Sequence, residues 1–231
     1  MTTTNQVLIT GANRGIGLEF ARQYAEAGWK VIACCRDLKQ AASLQALADT
    51  YPDIKTYALD VADFAAIEAL AAALKDEKID VLINNAGVYP HSDLNHADPE
   101  QWLHAFKVNS MSPFKMATAF TPHIAASRLK KLVTLSSKMG SLDDNTSGGS
   151  YIYRTSKVAA NMVMKSLAID LKPYGISVAA LHPGWVQTEM GGPGALIDTR
   201  ASVSGLRNVI EHLNLDNSGQ FITYDGKVIN W

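Results

Sequence analysis

Tyr153-Arg154-Thr155-Ser156-Lys157 sets a phenol and an ammonium four residues apart at a helix start, on one face of the helix. At that spacing their Cβ atoms stand about 5 to 6 Å apart, near enough to act together. A free phenol ionises at about pH 10. An ammonium about 5 Å away, at an effective dielectric of 20, favours the phenolate by roughly 3 kcal/mol, or about two pKa units. The spacing therefore predicts a tyrosine tuned for general acid/base work near neutrality. Taken alone, Y-x-x-x-K is also ordinary helical sequence, so its weight rests on what accompanies it.

A second group is built for phosphate. The apolar run Val7 to Thr10 leads straight into Thr10-Gly11-Ala12-Asn13-Arg14-Gly15-Ile16-Gly17, and a helix begins there with Ile16, Leu18 and Phe20 on its apolar side. A strand-to-helix turn leaves unpaired N–H groups and the positive end of a helix dipole at the carboxyl edge of a sheet, and glycines let a pyrophosphate approach the backbone. The spacing is G-x-x-x-G-x-G. The competing explanation is a helix start with glycines used for packing.

Which dinucleotide such a turn would hold depends on the end of the next apolar run. Where an NAD site has an acidic residue for the ribose 2′-hydroxyl, this sequence has Cys35 followed by Arg36. Arg36 suits a 2′-phosphate, and Arg14 adds a second guanidinium able to make bidentate phosphate contacts. Together they select NADP(H) over NAD(H). Arg36 by itself could be a solvated charge at a strand end.

These groups must be held by something, and the apolar pattern says what. Short β-rich runs at Val7 to Thr10, Val31 to Cys35, Lys55 to Leu59, Val81 to Asn84, Lys131 to Leu135, Ser177 to Leu181 and Gln220 to Tyr224 alternate with helical stretches. That alternation predicts an α/β fold, a Rossmann-type doubly wound parallel sheet of about seven strands, as one domain over residues 1–231. After Tyr153 the helix carries one apolar stripe of Ala160, Val163, Met164, Leu167 and Leu171, and Pro173 with Gly175 ends it. Val158, Met162 and Ile169 form a second stripe, which suits a subunit interface and favours a homodimer. Asp143 to Ser150 reads as a surface loop, and Gly191 to Leu206, with Gly191, Gly192, Pro193 and Gly194, as a short, open, mobile cover over the site.

With Asn84-Asn85-Ala86-Gly87, Ser136-Ser137 after the fifth apolar run and Pro183-Gly184 after the sixth, the chain from Thr10 to about Met190 resembles the short-chain dehydrogenase/reductase family. Within it the chain is similar to small carbonyl reductases of the sniffer and C-factor type, on Thr10 to Gly17, Tyr153 to Lys157 and Tyr224-Asp225-Gly226. The resemblance implies that Tyr153 protonates the alkoxide as hydride arrives from the nicotinamide. Lys157 would lower its pKa and bind the nicotinamide ribose, and Ser137 would hold the substrate carbonyl, with Ser136 a secondary candidate. Asn109 would hold a water relaying protons to Lys157. Ser137 lies sixteen residues before Tyr153, a little more than is usual, and the loop after Asp143 would absorb the excess.

The same resemblance implies a cofactor site formed by Gly11, Asn13, Arg14, Gly15, Ile16, Gly17, Arg36, Asp60, Val61, Asn85, Ala86, Gly87, Tyr153, Lys157, Val186 and Thr188. Asp60 would meet the adenine amino group, or else serve only as a helix cap. Reduction of a small aldehyde or ketone is the expected activity. The rival from another class is a C-factor-like signalling protein that binds NADP(H) with little turnover; an intact Tyr153, Lys157 and Ser137 set argues against it. A sugar-nucleotide epimerase or dehydratase is weakened by the short stretch after Thr188.

Bulk composition agrees. The chain has 231 residues, is 47% hydrophobic and 19% charged, and has a formal net charge of -1, which gives no reason to expect nucleic acid or an anionic membrane as partner. The polar start Met1 to Asn5 and the absence of a long apolar run lead to the expectation of a cytoplasmic protein. Cys34 and Cys35, adjacent in a strand, point to opposite faces and exclude a disulfide framework. His91, His96, His104, His123, His182 and His212 show no metal-ligand spacing, so no metal is expected. Trp185 and Met190 sit where substrate would pass or simply pack.

Overall fold

Strands rich in branched apolar residues with no polar alternation must be covered on both faces. The computed structural model, which describes residues 4–231, answers that requirement with one parallel sheet of seven strands in the order β3-β2-β1-β4-β5-β6-β7. The strands are β1 (Gln6–Thr10), β2 (Lys30–Cys35), β3 (Ile54–Ala58), β4 (Val81–Asn84), β5 (Lys131–Leu135), β6 (Ser177–His182) and β7 (Gln220–Thr223). The helices are α1 (Gly15–Glu26), α2 (Ala42–Thr50), α3 (Phe64–Ala73), α4 (Pro99–Phe106), α5 (Ser112–Ala125), α6 (Tyr151–Asp170) and α7 (Thr199–His212). Each expected strand is present, displaced at its ends by a residue at most. Of the polar start, Met1 to Thr3 lie outside the described residues.

The sheet divides the interior into two cores. Val7, Ile9, Ala33, Cys35, Phe20 and Leu206 belong to one, and Leu8, Ile32, Cys34, Leu82, Phe120 and Met164 to the other. The neighbouring cysteines fall into opposite cores and are both free thiols, as strand alternation requires. Chain order runs outward in both directions from the pair β1 and β4, so the crevice for a ligand opens at their carboxyl ends.

Helix α6 buries Ala160, Met164, Leu167 and Leu171, with Val163 partly covered. Of its second stripe Val158 is half-buried, while Met162 is 65% and Ile169 67% exposed. The expected cover is only half a loop. Residues 191–198 are irregular, but α7 begins at Thr199, capped by Asp198 through Ala201 N at 2.7 Å, and buries Val203 and Leu206 in the core. The glycines alone suggested a mobile segment to Leu206; an amphipathic helix ends it eight residues earlier. Among the described residues no helix is long and apolar enough to cross a membrane, and no group of three or more His, Cys, Asp or Glu could hold a metal.

Candidate active site

The glycine-rich turn needs backbone that only glycine adopts easily. Gly11 has φ +66° and Gly15 φ +55°, and a Cβ on Gly17 would stand 2.2 Å from Gly11 O. The turn is locked to the end of β4. Asn85 Nδ2 donates to Thr10 O at 2.9 Å and Gly11 O at 3.0 Å, while Thr10 Oγ1 accepts from the main-chain N–H of Asn85 and Ala86 at 3.0 and 3.1 Å. Asn85 and Ala86 thus lie beside Gly11, on the far side of the switch point. Asn13 is half-buried, and Ile16 packs on the first core. Thr188 closes the other flank: a Cβ on Gly15 would meet Thr188 Cγ2 at 3.3 Å.

Arg14, before α1, makes no side-chain cap and is paired with Glu189, an ion pair between two exposed side chains far apart in sequence. Arg36 follows β2, is exposed, and forms no ion pair among the described residues. The carboxylate of Asp37, next in sequence, is turned away into its own loop, accepting from Lys39 N at 2.8 Å and Gln40 Nε2 at 2.9 Å. Asp60 is exposed after β3, with one oxygen accepting from Ala62 N at 2.9 Å; the cap of α3 is Asp63. Val61 is buried in the second core, so only its main chain faces outward. Val186 is buried too and bridges Ile197.

Over the end of β5 the second cluster assembles. Tyr153 and Lys157 are both buried on α6, with Lys157 Nζ 5.6 Å from the Tyr153 ring centroid. Ser137 lies near enough to Tyr153 to draw its phenol pKa downward, and its Oγ accepts from Met139 N at 3.2 Å. Ser136 points the other way, buried, with Oγ 2.5 Å from Asn161 Oδ1, which removes it as a substrate ligand. Gly87 joins the two halves: a Cβ there would lie 3.3 Å from Asn109 Oδ1 and 3.7 Å from Lys157 Nζ.

Asn109 is not in an ordinary helix. Residues Lys107–Met111 form a π turn between α4 and α5, a widening of the backbone that re-aims a side chain and recurs at functional sites. Its amide is held in place: Oδ1 accepts from Val88 N at 2.9 Å, and Nδ2 donates to Val88 O and Ser156 Oγ, each at 2.9 Å. The start of α6 is fixed at a distance. Ser150, before it, has φ 48°, a left-handed strain unusual outside glycine, and gives no cap. Buried Ser92 supplies one instead, Oγ accepting from Ile152 N at 3.0 Å and O from Ser150 N at 2.9 Å.

The electrostatics correct the expectation drawn from Tyr–Lys spacing. Burial pushes the Tyr153 phenol up to about 12; Ser137 opposes this and Tyr89 adds to it. Burial also pushes Lys157 down to about 8. The ammonium donates one bond, to Leu135 O at 2.8 Å. Desolvation, which spacing cannot reveal, sets both directions. His182 is held near neutral form, pushed down to about 4 by burial and then by Lys138, and its Nδ1 accepts from Lys138 N at 3.2 Å.

A doubly wound sheet with a glycine turn at its switch point and a buried Tyr, Lys and Ser group over the adjacent strand defines an α/β oxidoreductase. The chain belongs to the short chain dehydrogenase family, whose model matches residues 5–194. It is 40% identical over 169 residues to the C-signal of Myxococcus xanthus, covering 71% of this chain and all of that protein (100%). Its fold is that of the carbonyl reductase Sniffer of D. melanogaster, at TM-score 0.92 and 34% identity over 99% of this chain and 100% of that one. It matches equally the NADPH-bound carbonyl reductase from chicken fatty liver, at TM-score 0.93 and 33% identity over 99% of both. The similarity to sniffer and C-factor type proteins read from the motifs is thereby borne out.

Proposed function

We propose that this protein is an NADP(H)-dependent carbonyl reductase that converts a small aldehyde or ketone to the alcohol, the whole chain serving as one dinucleotide-binding domain. The observation that carries the reading is the buried Tyr153 phenol on α6 with Lys157 Nζ 5.6 Å from its ring, near Ser137 after β5; burial pushes the phenol up to about 12. Such a phenol holds its proton at neutral pH, which is the state needed to protonate an alkoxide. Ser137 Oγ, half-exposed beside it, is placed to receive the substrate oxygen. Lys157, brought down to about 8 by burial, is mostly protonated at neutral pH and can pass a proton inward. Asn109, with both Nδ2 donors already engaged, would hold a water through one of its oxygen acceptors.

The residues fit the dinucleotide. Gly11, Asn13, Gly15, Ile16 and Gly17 would take the pyrophosphate, Arg36 with Arg14 the 2′-phosphate, and Asp60 and Val61 the adenine. Asn85, Ala86 and Gly87 would line the middle, Tyr153 and Lys157 the ribose, and Val186 and Thr188 the carboxamide. Arg36 without a carboxylate partner supports NADP(H) over NAD(H), as does the NADPH carried by the similar chicken carbonyl reductase. When bound, the cofactor supplies the hydride.

The reading takes the protein as cytoplasmic and as a homodimer, supported by the exposed apolar stripe of Met162 and Ile169 on α6. A monomeric sedimentation profile would reject the dimer. Likeness to the C-signal favours a second reading, an NADP(H)-holding signalling protein. The test is consumption of NADPH with a panel of reactive dicarbonyls and quinones. Turnover supports the reductase; tight NADPH binding with no turnover across the panel supports the binder.

A further inference from the structure

The edge of the sheet opposite the catalytic group carries a cavity of about 500 Å³. Asn5, Val81 and Lys131 line it at the amino ends of β1, β4 and β5, and α1 and the second half of α7 form its walls. Lys131 opens β5, and Leu135, whose carbonyl holds Lys157, closes it. The length of that strand, about 13 Å, keeps the cavity apart from the catalytic group. A volume of this size suits a small organic ligand.

Its charge is one-sided. Arg128, Lys131 and Arg207 all line it, against the single carboxylate of Glu211. None of the four forms an ion pair among the described residues, so the lining carries an excess of positive charge. The Arg207 guanidinium carbon stands 4.7 Å from the Tyr24 ring centroid, and Nη1 donates to Gln23 Oε1 at a long 3.4 Å. Its Nε has no hydrogen-bond partner among the described residues. Lys131 is buried and donates to Ile210 O at 2.8 Å and Glu211 O at 2.7 Å, near the carboxyl end of α7. Burial draws its pKa down against the pull of Glu211, so an anion beside it would favour the charged form. Arg128 is exposed, and its Nη2 donates to Asn5 Oδ1 at 3.0 Å. Trp29, half-buried with its ring 4.8 Å from that of Tyr24, adds an apolar wall, and Asn208 a neutral polar group.

We propose that this amino-edge cavity is a second binding site, for a small organic phosphate monoester whose phosphate sits among Arg128, Lys131 and Arg207 and whose hydroxylated body lies against Trp29 and Asn208. Three cations and one carboxylate leave the charge that a phosphate monoester, close to doubly negative at neutral pH, neutralises. Two guanidiniums give it the fork of donors that phosphate oxygens accept. The site is separate from the dinucleotide turn and does not depend on the reductase reading.

The probes are glucose 1-phosphate and glycerol 3-phosphate, which carry no carbonyl, with inorganic phosphate and glycerol as controls. They are titrated by calorimetry into protein saturated with NADP⁺, so that phosphate sites at the carboxyl edge are filled. At least one of the two esters should bind saturably, about tenfold or more tighter than inorganic phosphate, and glycerol should not bind. Arg207→Gln and Arg128→Gln should each weaken that binding about tenfold, with NADP⁺ affinity within about threefold of the unmodified protein. Arg128 is exposed, so its replacement removes charge without disturbing the core. No saturable binding of either ester, inorganic phosphate binding as tightly, or binding unchanged in both arginine variants overturns the site. Ester binding that the arginine variants weaken, in a protein that does not bind NADP⁺, upholds this site and removes the reductase reading.

Discussion

Lys157→Met should make the protein more stable at neutral pH while removing its activity. Burial lowers the Lys157 pKa from 10.5 to about 8, which corresponds to about 3 kcal/mol against folding with the lysine charged. Methionine removes that penalty and nearly preserves volume. Its cost is the bond to Leu135 O, 2.8 Å long, worth about 1 to 2 kcal/mol. The net gain is about 1 to 2 kcal/mol, or roughly 2 to 8 °C in Tm for a chain of this size. The sign with pH follows from a base whose folded pKa is depressed. Below about 8 the penalty is fully present; between there and 10.5 the unfolded chain binds the extra proton, so the unmodified protein gains stability as pH rises. Tyr153 titrates in both proteins and cancels to first order in their difference. Urea unfolding of both at pH 7 and pH 10 checks this. A variant less stable at pH 7, or a stability difference that does not shift towards the unmodified protein by pH 10, would refute the burial argument.

Ser92→Ala leaves Ile152 N without its partner at the start of α6 and should cost about 1 to 2 kcal/mol in urea unfolding, although Ser92 is remote in sequence. Ser137→Ala should lower kcat about a hundredfold or more in steady-state assays. Ser136→Ala, whose hydroxyl binds Asn161 inside the protein, should lose about 1 kcal/mol of stability with kcat nearly unchanged. Arg36→Asp should reduce the NADPH to NADH ratio of kcat/KM by about tenfold or more, by placing a carboxylate where a phosphate would bind; an unaltered ratio rejects the assignment.

The parts of the site that were legible in the sequence are those fixed by local geometry. A strand running into Gly11, Gly15 and Gly17 has few other folds open to it, and Tyr153 with Lys157 at helical spacing must share a face. What was not legible depends on partners distant in sequence. The cap of α6 comes from Ser92, Arg14 meets Glu189, and Asn109 turns inward through a π turn that no apolar period marks. The tyrosine's pKa went the wrong way for the same reason: four-residue spacing gives the Coulomb attraction, but burial on both residues is set by the whole fold. The end of the cover was misplaced because the glycines at 191–194 outweighed the apolar period of Val203, Leu206 and Ile210, which marked the start of α7.

Tyr153→Phe tests the central claim most directly. Phenylalanine keeps the ring beside Tyr89 and removes only the hydroxyl. The account predicts NADPH binding by fluorescence within about threefold of the unmodified protein, and carbonyl-dependent NADPH oxidation reduced by about a thousandfold or more. Oxidation that continues at the unmodified rate, with binding intact, would contradict Tyr153 as the proton donor.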